Sequence, residues 1–259
     1  MNLPAKKSLG QHWLEDKQIL RSICDAAEVS PEDNVLEVGP GHGTLTRILL
    51  DRAASVVAVE FDEDLAAKLP KSIKSDKLKV VHSDILSFDL TTLSADYKVV
   101  ANIPYYLTSN LIRTLCESSN PPTSIILLVQ KEVAERVCAR PGSMSLLSVS
   151  AQSYYECNLG PVVTSDKFSP PPKVDSQVAI MHRSATPLFE GISSKEFFQV
   201  VKAGFSSRRK TLLNSLSGGL DMTKDDTAKL LQEQGVDPTS RPQELSVTQW
   251  VDLAKYLTR

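Results

Sequence analysis

Four residues, Asn102-Ile103-Pro104-Tyr105, carry the most chemistry in this chain, and they follow the short apolar run Lys98-Val99-Val100-Ala101. A polar side chain, a proline turn and an aromatic at the end of a strand suit a flat ring that bears an amino group. The Asn102 side-chain carbonyl can accept a hydrogen bond from an exocyclic NH2. Pro104 fixes φ and directs the backbone carbonyl of Ile103 toward the same point. Tyr105 offers a π-face on which the ring can stack. Taken alone, the same four residues read more readily as a strand that ends in an ordinary proline turn.

The context upstream favours a site. Asn34-Val35-Leu36-Glu37-Val38 reads as a buried strand and runs into Gly39-Pro40-Gly41-His42-Gly43-Thr44, after which a helix begins. Alternating glycines let backbone approach a ligand closely, and a helix N-terminus presents unpaired N–H groups. A dinucleotide fingerprint needs a third Gly or Ala where Thr44 stands, so that version is imperfect. The next strand, Ser55 to Val59, ends in Glu60, a carboxylate suited to both hydroxyls of a ribose. A third, Lys79-Val80-Val81-His82, leads to Asp84, which can accept from an adenine amino group. Gly39, Gly41, Glu60, Asp84 and Asn102 thus fall at successive strand ends, where open α/β sheets bind ligands.

This pattern resembles the class I S-adenosylmethionine-dependent methyltransferases, and the Asn-Ile-Pro-Tyr tetrapeptide resembles those that methylate a nucleobase amine. Further segments resemble the ribosomal RNA adenine dimethyltransferases over nearly the whole chain: Lys7 to Leu14, Leu128 to Arg136, Phe168 to Ser176, Phe205 to Leu212 and Arg241-Pro242. The Arg-Arg-Lys-Thr stretch at 208–211 resembles the bacterial small-subunit type rather than the resistance-conferring relatives. The resemblance implies S-adenosyl-L-methionine as cofactor and no metal. It implies N6,N6-dimethylation of two adjacent adenines in the 3′-terminal hairpin loop of 16S rRNA, within an immature small ribosomal subunit. It also implies an N-terminal arm in which Gln11, His12 and Leu14 reach the cofactor. That arm usually reads Gln-Asn-Phe-Leu in the family and here reads Gln11-His12-Trp13-Leu14. His12 can still hydrogen-bond, and Trp13 can still pack.

On that reading Asn102, the Ile103 carbonyl, Pro104 and Tyr105 hold the amino nitrogen, and Phe168 is expected to stack on the ring's second face. A sulfonium is so good a leaving group that no strong base is needed, and His42 and His82 are read as local hydrogen-bonders. Lys202, Arg208, Arg209 and Lys210 cluster within nine positions and are expected to meet RNA phosphates, with Arg183 ahead of them. Two other functions compete. An NAD-linked oxidoreductase would leave Asn102 to Tyr105 without a role, whereas an RNA-binding assembly factor would use the basic cluster and dispense with methyl transfer.

The elements that position these groups alternate. After an amphipathic helix over 15–28, strands are expected at 34–38, 55–60, 78–82 and 97–102, with helices at 44–53, 62–70 and 108–118. Ser124 to Gln130 is apolar enough to be buried on both faces. A helix from Lys131 to Ala139 and two strands near 146–157 and 174–183 would complete a seven-stranded doubly wound sheet with an antiparallel end. Beyond Pro187 only helices are expected, near 194–205, 208–217, 224–234 and 244–257, with Ser217-Gly218-Gly219 as a turn. The domains are therefore read as a Rossmann-like α/β methyltransferase domain over 1–185, including an arm at 1–14, and a small α-helical RNA-binding domain over 186–259.

Composition agrees with a globular protein of this size: 259 residues, 41% hydrophobic. No signal peptide is evident, and no run approaches the roughly 20 apolar residues of a membrane helix. Cys24, Cys116, Cys138 and Cys157 lack metal-ligand spacing and are read as reduced thiols of a cytoplasmic monomer. A net charge of −2 neither supports nor excludes RNA binding, because the local field decides phosphate contact.

Overall fold

Runs of Val, Leu, Ile and Ala, interrupted at Glu37, build the centre of the molecule's sheet, and polar residues mark where each run stops. A computed structural model describes residues 10–207 and 209–258. In chain order its elements begin with β1 (Trp13–Leu14), α1 (Lys17–Ala26), β2 (Asn34–Val38), α2 (Thr44–Arg52), β3 (Ser55–Glu60), α3 (Glu63–Ser72) and β4 (Leu78–His82). They continue with β5 (Lys98–Asn102), α4 (Thr108–Cys116), β6 (Ser124–Gln130), α5 (Lys131–Val137), α6 (Leu146–Gln152), β7 (Tyr155–Val163), β8 (Phe168–Ser169) and β9 (Ser176–Arg183). Four further helices follow: α7 (Ser194–Phe205), α8 (Leu212–Gly219), α9 (Lys224–Glu233) and α10 (Val247–Leu257).

Seven strands form one sheet in the order β4-β3-β2-β5-β6-β9-β7. The pairs β2–β3, β3–β4, β2–β5 and β5–β6 are parallel, whereas β9 runs antiparallel to β6. Strand order therefore reverses between β2 and β5, and that switch opens a crevice at their carboxyl ends. Gly39 follows β2 and Asn102 ends β5, so both expected site segments lie on the crevice. The register sets Leu36 opposite Val99 and Asn102 opposite Leu128. Ser124 to Val129 is buried throughout, as its apolar run predicts for a strand covered on both faces.

The chain divides into two compact units, one of residues up to Glu135 with Cys157–Arg183, the other of Arg136–Glu156 with Ser184 onward. The first holds the sheet. Its core joins Leu14, Leu20 and Ile23 with Leu45, Leu49, Val100, Ile126 and Phe168. The second is helical, and its core surrounds the fully buried Trp250 with Phe197, Val201, Leu216 and Leu231. Gly204 on α7 and the Trp250 ring are in such close approach that a Cβ would clash with it.

The structure corrects three expectations. Residues 146–152 form α6, with a capping box between Ser145 and Ser148 at its start, and the strand begins only at Tyr155. The domain boundary expected at 185 cuts through a shared core, because Ala139, Met144 and Val149 pack with Phe197 and Trp250. Ser217-Gly218-Gly219 belongs to α8, where a Cβ on Gly219 would stand 2.8 Å from the Ala203 Cα. That glycine serves close packing of α7 on α8 rather than a turn.

Among the described residues no helix is long and apolar enough to cross a membrane. Cys24, Cys116 and Cys157 are buried and Cys138 is half-buried. Burial pushes the Cys24 thiol up to about 12 and Cys138 up to about 11, so neither is a ready thiolate.

Candidate active site

The loop after β2 turns on glycines at φ +65°, +58° and +77°, Gly39, Gly41 and Gly43, a region that L-residues rarely occupy. Glu60, at the end of β3, fixes this loop. One of its oxygens accepts from the Gly41 N–H at 3.1 Å, and the other accepts from the Asp62 N–H at 2.9 Å. Each oxygen retains acceptor capacity for a further donor. Burial raises the Glu60 carboxyl above its ordinary value, and the backbone N–H groups of Asp62 and Gly41 pull it back down. At the neighbouring strand end, Asp84 is exposed and one oxygen accepts from the Leu86 N–H at 3.0 Å. Phe61 and Leu86, both exposed, flank this edge.

Asn102 is half-buried at the tip of β5 and Ile103 is buried behind it. Pro104, at φ −58°, opens a single 3-10 turn over Tyr105–Leu107, and its carbonyl accepts from the Leu107 N–H at 3.0 Å. The Tyr105 hydroxyl lies 2.8 Å from Ser176 Oγ on β9, which fixes the ring in place. Burial raises the Tyr105 phenol, so it stays protonated.

The arm folds over the glycine loop. β1 pairs antiparallel with β8, Trp13 opposite Ser169 and Leu14 opposite Phe168. Thr44 Oγ1, at the start of α2, donates to the Leu14 carbonyl at 3.1 Å. Trp13 lies against Gly41 so closely that a Cβ there would stand 2.5 Å from Trp13 Cζ3. The Trp13 and His42 rings sit 4.4 Å apart. His12 Nδ1 donates to the Pro170 carbonyl at 2.7 Å, and its ring stacks on Tyr105 with centroids 5.8 Å apart. The His12 and Trp13 departures from the usual arm sequence thus both find partners.

These pieces enclose a pocket of about 260 Å³. Gln11, His12, Leu14, Gly39, Gly41, Glu60, Asp84 and Asn102 all line it, as do Ile103, Pro104 and Tyr105. Phe168 does not. It is 4% exposed, packed with Leu14, Leu128 and Val178 in the core, and its expected place on the second face of the ring is corrected to a core position. Apolar burial against the arm wins over exposure at the pocket. In the helical unit, Lys202, Arg209 and Lys210 are exposed, while Arg208 lies outside the described residues. Arg183 is committed elsewhere, to the Pro121 carbonyl at 2.6 Å and Asp96 at 3.1 Å.

Several lining residues carry no assignment from sequence, and one of them bears directly on the chemistry. Glu37 sits within β2 at 1% exposure, and its Oε2 has no hydrogen-bond partner. Burial pushes its carboxyl up to about 8, the nearby Thr46 hydroxyl works against this, and the Glu60 charge adds to it. The signal was present in the sequence: an ionisable residue inside an otherwise apolar strand, two residues before a glycine loop.

A mostly parallel sheet whose switch point carries a glycine loop, an acid at the end of β3 and a polar residue at the tip of β5 defines a class. The fold is that of the class I S-adenosylmethionine-dependent methyltransferases. Among solved structures, the chain superposes on a dimethyladenosine transferase from Plasmodium falciparum with a TM-score of 0.80, covering 95% of this chain and 98% of that one. At 24% identity that likeness is one of fold. It matches the 23S rRNA methyltransferase ErmE with a TM-score of 0.76 and 28% identity, covering 95% of this chain and all of that one. In sequence it is 42% identical over 255 residues to the ribosomal RNA small subunit methyltransferase A of Dehalococcoides mccartyi (strain CBDB1), covering 97% of this chain and 88% of the relative. The family model for ribosomal RNA adenine dimethylase matches residues 2–259. The chain belongs to the ribosomal RNA adenine dimethylase family, and it is a methyltransferase of the type that uses S-adenosylmethionine.

Proposed function

We propose that this enzyme transfers methyl groups from S-adenosylmethionine to N6 of two adjacent adenines in the 3′-terminal hairpin loop of small-subunit (16S) rRNA, in an immature small subunit. The observation that carries the reading is the position of Asn102-Ile103-Pro104-Tyr105, which lines the same pocket as the glycine loop at the neighbouring strand end. The D. mccartyi relative, named for the small subunit, supports the choice of RNA.

The residues present fit the cofactor. The buried, unpartnered Glu37 oxygen is costly unless a cation stands beside it or a proton occupies it, and this donor carries an ammonium. Glu60 keeps acceptor capacity for the ribose hydroxyls, Asp84 is free on one oxygen for the adenine amino group, and Gln11, His12 and Leu14 of the arm line the same pocket. When bound, S-adenosylmethionine supplies a methyl group on a sulfonium, an excellent leaving group.

The protein's task is then positioning. The amino nitrogen of adenine is a poor nucleophile because its lone pair is delocalised into the ring. Acceptors at the Asn102 side chain and the Ile103 carbonyl take its two N–H bonds and favour a localised lone pair. Tyr105, held by Ser176, stacks on the ring. Holding both reactants in near-attack geometry contributes up to roughly 7–11 kcal/mol in favourable systems. Neither His42 nor His82 is required as a base, because the N–H proton becomes acidic only as the new bond forms and leaves to water.

Mass spectrometry of rRNA nucleosides, with oligonucleotide fragments read for position, tests this directly. Immature small subunits incubated with labelled S-adenosylmethionine should yield N6,N6-dimethyladenosine at two neighbouring positions. Label in another base, or monomethylated adenine alone, would sink the assignment. The exposed Arg209 and Lys210 are assigned to RNA phosphates. Replacing both with alanine should flatten the dependence of log affinity on log salt by about 0.7–0.9 for each phosphate no longer neutralised, with cofactor affinity unchanged. An unaltered slope would remove them from the RNA interface.

A further inference from the structure

Tyr106 is 66% exposed, the most exposed large apolar side chain among the described residues, and it lines the mouth of the pocket. Its backbone is fixed on both sides. The Pro104 carbonyl accepts from the Leu107 N–H at 3.0 Å, Thr108 Oγ1 donates to the Tyr105 carbonyl at 3.0 Å, and Leu107 is buried. Tyr105 next to it is anchored through Ser176. The arm also approaches closely: a Cβ on Gly10, at φ +60°, would stand 3.6 Å from Tyr106 Cδ1. A rigid turn therefore presents two consecutive aromatic rings, one inside the pocket and one at its rim. Folding does not account for the outer ring, since so large an apolar surface is left in water.

Recognition of RNA does account for it. An enzyme that works on a base amine takes the target nucleotide out of its stack, and the flanking base loses a neighbour. An aromatic side chain can replace that neighbour whatever the base, because every base has a π-face. We propose that Tyr106 holds the nucleobase next to the target adenine by stacking, as a substrate-positioning residue of the reaction. This rests on the function proposed above. Tyr105 and Tyr106 would then take two successive bases, which matches a substrate in which two adjacent adenines are modified in turn.

A double-mutant cycle tests it. Wild type and Tyr106→Ala are compared on an RNA hairpin with adjacent adenines and on the same hairpin with an abasic site beside the target. Dissociation constants for RNA are measured together with kcat and KM. Loss of either stacking partner is expected to raise Kd and KM about tenfold with little change in kcat. Loss of both should cost no more than loss of one. Tyr106→Phe should behave as wild type, and S-adenosylmethionine affinity should be the same in all variants. Additive losses, or wild type binding intact and abasic hairpins equally, would overturn the proposal. Weakened cofactor binding in Tyr106→Ala would also overturn it, by assigning the ring to support of the arm. A wild type that binds in the expected pattern but does not methylate adenine would leave Tyr106 in place and remove the function instead.

Discussion

Asn102→Ala is expected to lower the single-turnover methylation rate by about two to three orders of magnitude, with RNA and cofactor affinities changed by no more than a few-fold. The size follows from removing one preorganised polar group at a reacting centre, a change that commonly costs about 10²–10³ in rate. The backbone at this point owes little to the side chain. β5 is held by β2 on one side and β6 on the other, with Asn102 opposite Leu128, and the turn beyond is set by Pro104. The variant should therefore melt at the parent temperature. Its Tyr105 face stays anchored to Ser176, so the base still binds but its amino group is no longer oriented. Asn102→Asp keeps an acceptor while adding a charge, and should recover part of the rate. A folded Asn102→Ala protein that methylates at the parent rate would take the side chain out of the mechanism.

The parts of this fold that can be read from sequence are those in which one physical preference dominates. β6 is buried on both faces and every residue from Ser124 to Val129 agrees with that. α7 opens on a capping box between Ser193 and Glu196, and its apolar residues keep one period to Phe205. Residues 146–157 are harder, since Leu146, Leu147, Val149 and Ala151 satisfy a strand nearly as well as a short helix. There the reciprocal Ser145–Ser148 cap decides for the helix. The domain boundary departs from the expected position for a related reason: Met144 and Val149 join a core made by residues far along the chain, and only tertiary packing reveals it.

The site divides in the same way. Gly39, Gly41, Glu60, Asp84 and the Asn102 tetrapeptide carry their chemistry in their types, and all of them line the pocket. Phe168 does not disclose whether its ring faces a ligand or a core, and pairing of β8 with the arm puts it in the core beside Leu14. The hydrogen bond of His12 to Pro170 spans the chain from one end of the first unit to the other. No local pattern could have announced it. Glu37 is visible as an oddity, but its meaning depends on burial, which sequence only suggests.

That burial makes Glu37 the second large effect: in the absence of ligand, the stability of the parent protein should fall as pH rises from about 4.5 to about 8. In the unfolded chain the carboxyl releases its proton near its ordinary value of 4.5, whereas in the fold burial retains that proton to about 8. Below the lower value both states hold the proton and the contribution is complete. Between the two only the folded state holds it, so each pH unit of rise favours unfolding by about 1.4 kcal/mol at most. Above the upper value the loss levels off. Glu37→Gln removes the titrating group while keeping the size of the side chain, so its melting temperature should vary less across this window and exceed the parent's at high pH. A smaller slope of the same sign should persist from Glu60, whose carboxyl burial also raises. The stabilisation has a functional counterpart, because an amide cannot balance the cofactor's ammonium: the variant should bind S-adenosylmethionine more weakly while keeping its affinity for RNA. Melting curves at pH 5, 7 and 9 with and without cofactor decide the matter, and parallel pH profiles for parent and variant would show that the buried acid holds no extra proton.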